Sequence, residues 1–253
     1  LMDNALAYYD SKEIIGLVMK PKTSEVLAIA SRPNFDLVDY QKYDESIYNR
    51  NLPIWMSFEP GSTFKIVTYS AGLEEGVFKT TDHFYDPGYA VVDGTRIRDW
   101  KAGGHGEQTY LEVIQNSCNP GFVSIGLKLG KEKLFKYIKE FGFGKKTGID
   151  LLGESTGIVF NESKIGNVEV ATSAFGQGNS VTPIQLVNAA NAAVNGGNLN
   201  RPYILKGFGI PNTSTLVFRE EVELVRRVIS EETSAIVRDA LERVVALGTG
   251  RGA

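Results

Sequence analysis

The chain has 253 residues, 42% hydrophobic and 23% charged, with a formal net charge of −3 at pH 7. That is ordinary globular composition, enough for one large domain or two small ones, and the balanced charge with no long basic run argues against a nucleic-acid partner. The single cysteine, Cys118, excludes an intrachain disulfide, and no apolar run reaches the roughly 18 residues of a spanning helix.

In chain order, residues 3–11 read as a short helix. Two strand-like runs follow, 13–20 (EIIGLVMK) and 25–30 (EVLAIA), joined by the turn Pro21-Lys22-Thr23-Ser24, which together predict a β-hairpin. Residues 37–57 read as loop with a short helix. A buried helix should run from Ser62 to about Gly76. Residues 82–100 read as irregular, with turn signals at Asp86-Pro87-Gly88 and Asp93-Gly94. Thr109 is placed as the N-cap of a helix ending near Asn116. One helix after Cys118-Asn119-Pro120-Gly121 and another over 131–141 are expected, then a glycine-rich loop over 142–155. Thr182-Pro183 is a strong helix start, with a stop at Asn195-Gly196-Gly197. Residues 215–229 read as extended. Ser230 should cap a last helix whose buried stripe is Ile236, Val237, Ala240, Leu241, Val244 and Val245, closed by Gly248. The order, a sheet and then many helices, indicates α+β rather than alternating βαβ.

The chemistry-bearing stretch is Glu59-Pro60-Gly61-Ser62-Thr63-Phe64-Lys65. Pro60-Gly61 stops the chain, and a helix apolar on nearly every side begins. Such a helix is buried, yet it carries Lys65, and lysines are rarely buried without partners. Ser62 and Lys65 are i and i+3, on one helical face. Burial lowers a lysine pKa and yields an amine able to take a proton, so the pair describes an activated serine nucleophile. A chain this long should hold about one S-x-x-K by chance, and Ser62/Lys65 is its only one, so spacing alone does not decide the matter.

Further residues do. Ser62-Thr63-Phe64-Lys65 resembles the S-x-x-K motif of the penicillin-binding proteins, and Ser117-Cys118-Asn119 is similar to their second motif, S-x-N. Pro21-Lys22-Thr23-Ser24-Glu25, Thr147-Gly148-Ile149-Asp150-Leu151 with Gly153-Glu154, Gly176-Gln177-Gly178 with Thr182-Pro183-Ile184-Gln185, and Gly248-Thr249-Gly250 fit the same family, closest to class B. The resemblance implies one transpeptidase domain over 1–253: an antiparallel sheet flanked by helices, with a helical lobe at about 66–175. It implies that Ser62 attacks the penultimate D-Ala carbonyl of a peptidoglycan stem peptide. Lys65 accepts its proton, Ser117 relays a proton to the leaving D-Ala, and Asn119 holds the substrate amide. Gly176, Gln177 and Gly178 border the substrate. β-Lactams should acylate Ser62. Division- or sporulation-type work beside a membrane glycan polymerase is expected, on the extracytoplasmic face and with an N-terminal anchor. From the residues alone, the plainer reading of Ser117 and Asn119 is a helix cap and a turn.

The family's third motif, K-[ST]-G, lies on a strand beyond the segment matching Gly248-Thr249-Gly250, and the sequence stops before it. Lys146-Thr147-Gly148 reads K-T-G but is a decoy by position. The expectation is a domain incomplete at its C-terminus, inactive as it stands. Catalysis needs no cofactor, but Asp99, His105 and Cys118 are all zinc ligand types, and Asp86 is a candidate fourth for a structural zinc. Three rival readings remain: a serine β-lactamase or β-lactam sensor, a cysteine hydrolase using Cys118 and His105, and a non-catalytic scaffold of the same fold.

Overall fold

The computed structural model describes residues 1–213 and 215–252. Helix α1 (Met2–Tyr8) leans on the antiparallel hairpin of β1 (Ile14–Met19) and β2 (Val26–Arg32), in which Leu17 faces Ile29. The turn closes through Ser24, at φ 56°, whose hydroxyl donates to Asn188 Oδ1 at 2.9 Å. Residues 37–57 hold two short helices, α2 (Glu45–Tyr48) and α3 (Leu52–Trp55), the latter begun by Pro53. The S-x-x-K stretch starts as a 3-10 turn, Gly61–Phe64, and continues as α4 (Lys65–Glu74).

Residues 82–100 correct the sequence reading. They are not irregular but form β3 (His83–Asp86), β4 (Tyr89–Val92) and β5 (Thr95–Arg98), with β6 (Gly106–Thr109) returning to pair with β3. Asp93 and Gly94 both take positive φ, 47° and 78°. That is the left-handed pair that closes a two-residue hairpin with the right strand twist. Ala90, Val92 and Ile97 turn toward the core, so the alternation was present but short. The lobe over 66–175 is therefore not purely helical.

Thr109 caps α5 (Tyr110–Gln115) through a reciprocal box with Glu112. Helix α6 (Asn119–Glu140) breaks at Gly130, φ 73° and ψ 168°, which makes it the two helices expected there. Helix α7 (Asn167–Ser173) precedes α8 (Pro183–Val194), which opens on a capping box of Thr182 and Gln185. Then come β7 (Asn198–Asn200), β8 (Gly207–Gly209) paired with β9 (Leu216–Arg219), and β10 (Leu224–Arg227) paired with β7. Ser230 caps α9 (Glu231–Leu247).

Helix α4 is the hub. Phe64, Val67 and Tyr69 are buried in one core with Phe122 and Ile125 of α6, Ala189 and Ala192 of α8, and Val237 and Ala240 of α9. Each fully buried large side chain contributes about 1.5–3 kcal/mol. A second core joins Met19 and Val26 of the hairpin to Ile54, Ile149 and Ile184. The predicted stripe of α9 is only partly buried: Ile236 and Val245 are 36% and 55% exposed. The architecture is α+β, its strands forming antiparallel two-stranded ladders among the described residues. No described helix is long and apolar enough to cross a membrane.

Candidate active site

Ser62 lies on the 3-10 turn ahead of α4 rather than within the α-helix. Side chains three apart eclipse in a 3-10 turn, and Ser62 and Lys65 both line one cavity. Ser62 is exposed and Lys65 is buried, with 3% of its surface accessible. Lys65 Nζ meets Ser117 O at 2.7 Å, Ser117 Oγ at 3.0 Å and Asn119 Oδ1 at 2.7 Å. Residues more than fifty apart in sequence thus meet at one nitrogen. Burial pulls the Lys65 pKa down to about 8, against the opposing pull of the Cys118 and Asp99 charges. The carbonyl and Oδ1 only accept, whereas the Ser117 hydroxyl can donate or accept. A neutral amine therefore keeps two donated bonds and still offers its lone pair toward a hydroxyl proton.

Position 117 reaches this point at a conformational cost. Ser117 stands at φ 53°, left-handed for a non-glycine residue, a conformation that costs about 1–3 kcal/mol. It is held by Ser117 N–H to Ile114 O at 3.1 Å and Cys118 N–H to Val113 O at 3.0 Å, which close the turn between α5 and α6. Asn119 is fixed on three sides. Its N–H donates to Asp99 Oδ1 at 2.9 Å, its Nδ2 donates to Arg98 O at 3.3 Å, and its Oδ1 accepts from Lys65.

The loop 176–178 packs against the turn that carries Ser62. Gly61 N–H donates to Gly176 O at 3.0 Å. A Cβ on Gly176 would stand 2.0 Å from Gly61 O, and its φ is +87°, so only glycine permits this approach. Gly178 N–H donates to Glu59 Oε1 at 2.9 Å, while Gln177 is exposed between the two glycines. Ser62, Lys65 and Ser117 border a cavity of about 260 Å³, walled on its apolar side by Ile114, Leu241 and Val244. Sequence reasoning missed Glu59, Leu241 and Val244 as parts of the site. The α9 pair was taken for core, since periodicity does not say which apolar stripe meets a cavity. Lys146-Thr147-Gly148 is no active-site strand: Glu154 Oε1 accepts from Thr147 N–H and Oγ1–H at 2.6 Å each, and Glu154 Oε2 from Gly148 N–H at 3.1 Å, in an irregular loop.

Asp86, Asp99, His105 and Cys118 converge, each offering a ligand atom within 4.8 Å of the others. Asp86 ends β3, Asp99 follows β5, His105 precedes β6, and Cys118 is the N-cap of α6. Gly104 lets the loop fold back: a Cβ there would stand 2.3 Å from Gly88 N. His105 Nδ1 faces two carboxylates, Asp86 Oδ2 at 3.1 Å and Asp99 Oδ2 at 2.7 Å. Despite that distance, Asp99 Oδ2 makes no aligned hydrogen bond among the described residues and is buried without a partner there. One ring nitrogen cannot serve both oxygens well. Burial pushes the Asp99 carboxyl above the usual range, with the Asp86 charge adding to it. Burial opposes ionisation of Asp86 too, but the His105 and Gly88 N–H donors hold it low. Two carboxylates, an imidazole and a thiol around an unsatisfied oxygen fit a tetrahedral cation such as zinc. The same geometry weakens the cysteine-hydrolase reading. Cys118 is 0% exposed, and burial pushes its thiol up to about 12, so substrate has no access to a thiolate.

A family profile described as the penicillin binding protein transpeptidase domain matches residues 14–253. Stage V sporulation protein D of Bacillus subtilis is 60% identical over the whole chain, which covers 39% of that protein. A peptidoglycan D,D-transpeptidase FtsI homolog of Mesostigma viride is 32% identical over 97% of the chain and 46% of its own length. The chain thus spans less than half the length of these relatives. Among solved structures, penicillin-binding protein 3 of Mycobacterium tuberculosis complexed with aztreonam superposes with a TM-score of 0.86 at 30% identity, over 95% of this chain and 53% of that one. With the profile covering nearly every residue and Ser117 and Asn119 of S-x-N meeting the lysine of S-x-x-K, the chain belongs to the transpeptidase domain family of the penicillin-binding proteins, of the class B type its motifs predict.

Proposed function

We propose that the protein containing this chain cross-links peptidoglycan by acyl transfer through Ser62. The observation that carries the reading is the Lys65 amine, buried beside Ser62 and bonded to both Ser117 and Asn119. Ser62 Oγ attacks the penultimate D-Ala carbonyl of a stem peptide as its proton passes to Lys65 Nζ. The amide bond then breaks. The proton travels through Lys65 and the Ser117 hydroxyl to the leaving D-Ala nitrogen, which departs as the free amino acid. An amine of a neighbouring stem next attacks the ester carbonyl, forming the cross-link and returning the proton to Ser62. The Ser62 N–H serves as one oxyanion donor. Asn119 and the 176–178 loop border the substrate. β-Lactams acylate Ser62 in the same manner.

The likeness to a sporulation protein supports a sporulation-type role, outside the cytoplasmic membrane and beside a glycan polymerase. Asp86, Asp99, His105 and Cys118 would hold a structural zinc, neutralising two buried carboxylates and pinning the loop that orients Asn119. The metal supplies no step of acyl transfer.

Intact-mass spectrometry of the full-length protein before and after penicillin tests the reading. A stable gain of one drug mass mapping to Ser62 supports it, and an adduct lost within minutes favours the β-lactamase alternative. No adduct at all overturns the acyl-serine mechanism and leaves a non-catalytic scaffold.

A further inference from the structure

The outer face of the β4–β5 hairpin has no role in the chemistry above. In its register Tyr89 stands opposite Arg98 and Val91 opposite Arg96, so these four side chains share one face. The other face, with Ala90, Val92 and Ile97, packs on the core. Arg96 and Arg98 are both exposed. The Arg96 guanidinium carbon lies 3.8 Å from the centre of the Tyr89 ring. Neither arginine pairs with a carboxylate among the described residues, although other arginines do, including Arg32 with Asp3 and Arg201 with Glu223. Stacking holds a guanidinium plane in place, so less conformational freedom remains to be lost when an anion binds.

This face is tied to the active site by backbone. Arg98 O accepts from Asn119 Nδ2, and the next residue, Asp99, accepts the Asn119 N–H. An arginine side chain reaches about 6–7 Å from its Cα, a distance set by ordinary bond lengths. A substrate chain that continues past Asn119 across the outer face of the hairpin would come within that reach of Arg98 and, further on, of Arg96. Guanidinium groups favour carboxylates, which they bind by paired N–H donors.

We propose that Arg98, supported by Arg96 on Tyr89, binds a carboxylate carried by the donor stem peptide upstream of its terminal D-Ala–D-Ala. The site thereby prefers stems whose upstream carboxyl is free over stems in which it is a carboxamide. This rests on the transpeptidase reading above and adds a specificity determinant to it. Arg98 positions and selects the substrate; it takes no part in bond making.

The test uses two synthetic stem peptides, identical except for a carboxylate or a carboxamide at that upstream position, with the full-length protein. The readout is the ratio of kcat/KM for the two peptides. It is insensitive to a general loss of folded enzyme, because both peptides see the same sample. The wild type should favour the carboxylate by about tenfold, the range of one charge-assisted hydrogen bond. Arg98→Gln should bring the ratio to near one, mainly by raising KM for the carboxylate peptide, and Arg98→Lys should restore part of it. An unchanged ratio in Arg98→Gln, or equal losses on both peptides, overturns the proposal. The penicillin adduct on wild-type Ser62 separates the two readings. An adduct with no peptide preference sinks only the Arg98 subsite, whereas no adduct sinks the transpeptidase reading and the subsite with it.

Discussion

Lys65 Nζ and Asn119 Oδ1 lie 2.7 Å apart, joining α4 to the start of α6 across 54 residues of sequence. Asn119 holds its other two polar groups on the β5 end, at Arg98 O and Asp99 Oδ1. The amine beside Ser62 is thus oriented by a strand pair the sequence did not reveal.

The titration of that amine should appear in the acylation rate. Burial holds Lys65 near about 8, below its ordinary 10.5. The neutral form is the competent base, so the rate of penicillin acylation should rise with pH and level off above about 8. A rate flat between about pH 6 and 9 would remove Lys65 from the proton path. Lys65→Met should lower acylation by at least about a hundredfold, the usual contribution of a general base.

Metal content should follow Cys118. The native protein is expected to carry about one zinc per chain, and cobalt substitution should give a thiolate-to-metal absorption band. Cys118→Ser should abolish that band and lower the thermal midpoint by several degrees, since metal bound only to the native state stabilises it. An unchanged cobalt spectrum in the variant would rule out thiolate ligation.

Gly176→Ala should damage both stability and acylation. The added methyl would stand 2.0 Å from Gly61 O at a φ of +87°, so the 3-10 turn bearing Ser62 must shift. A cost of about 2–4 kcal/mol is expected, read by denaturant unfolding. Gln177→Ala, at an exposed position between the same glycines, should leave stability within about 0.5 kcal/mol.

Glu74 should anchor α9. Its carboxylate accepts Ser230 N–H at 3.0 Å and Ser230 Oγ–H at 2.8 Å. Burial opposes its ionisation, but the Thr233 and Ser230 donors prevail and hold the carboxyl below its ordinary 4.5. A folded pKa below the unfolded one contributes stability that is present above 4.5 and fades as pH falls through the lower folded value. Glu74→Gln should therefore cost about 1 kcal/mol near neutrality, and the gap to wild type should narrow in acid. A gap constant with pH would show that the loss is one of packing alone.

Much of the chain was legible because it depends on local chemistry. Thr109 with Glu112, Thr182 with Pro183 and Gln185, and Ser230 declare helix starts through side-chain oxygens that satisfy nearby N–H groups. Ser62, Lys65, Ser117 and Asn119 were marked by residue type and order. The short strands β3 to β5 were not legible, since four-residue runs carry too few alternations to rise above turn signals. Nor was the position of Glu59 on the Gly178 amide, a contact of 119 residues' separation that no local pattern encodes.

The sequence alone determined the capped helix starts at Thr109, Thr182 and Ser230, the α+β order and the Ser62–Lys65 spacing, because each rests on residues within one or two turns of one another. Only the tertiary structure decided that Lys65 answers to Ser117 and Asn119 rather than to Ser62 alone. It also decided that four scattered ligand types share one point, and that the outer face of β4–β5 is left cationic beside the site. Those outcomes depend on how α4, α6 and the strand pairs pack in three dimensions, where distance along the chain has no bearing on distance in space.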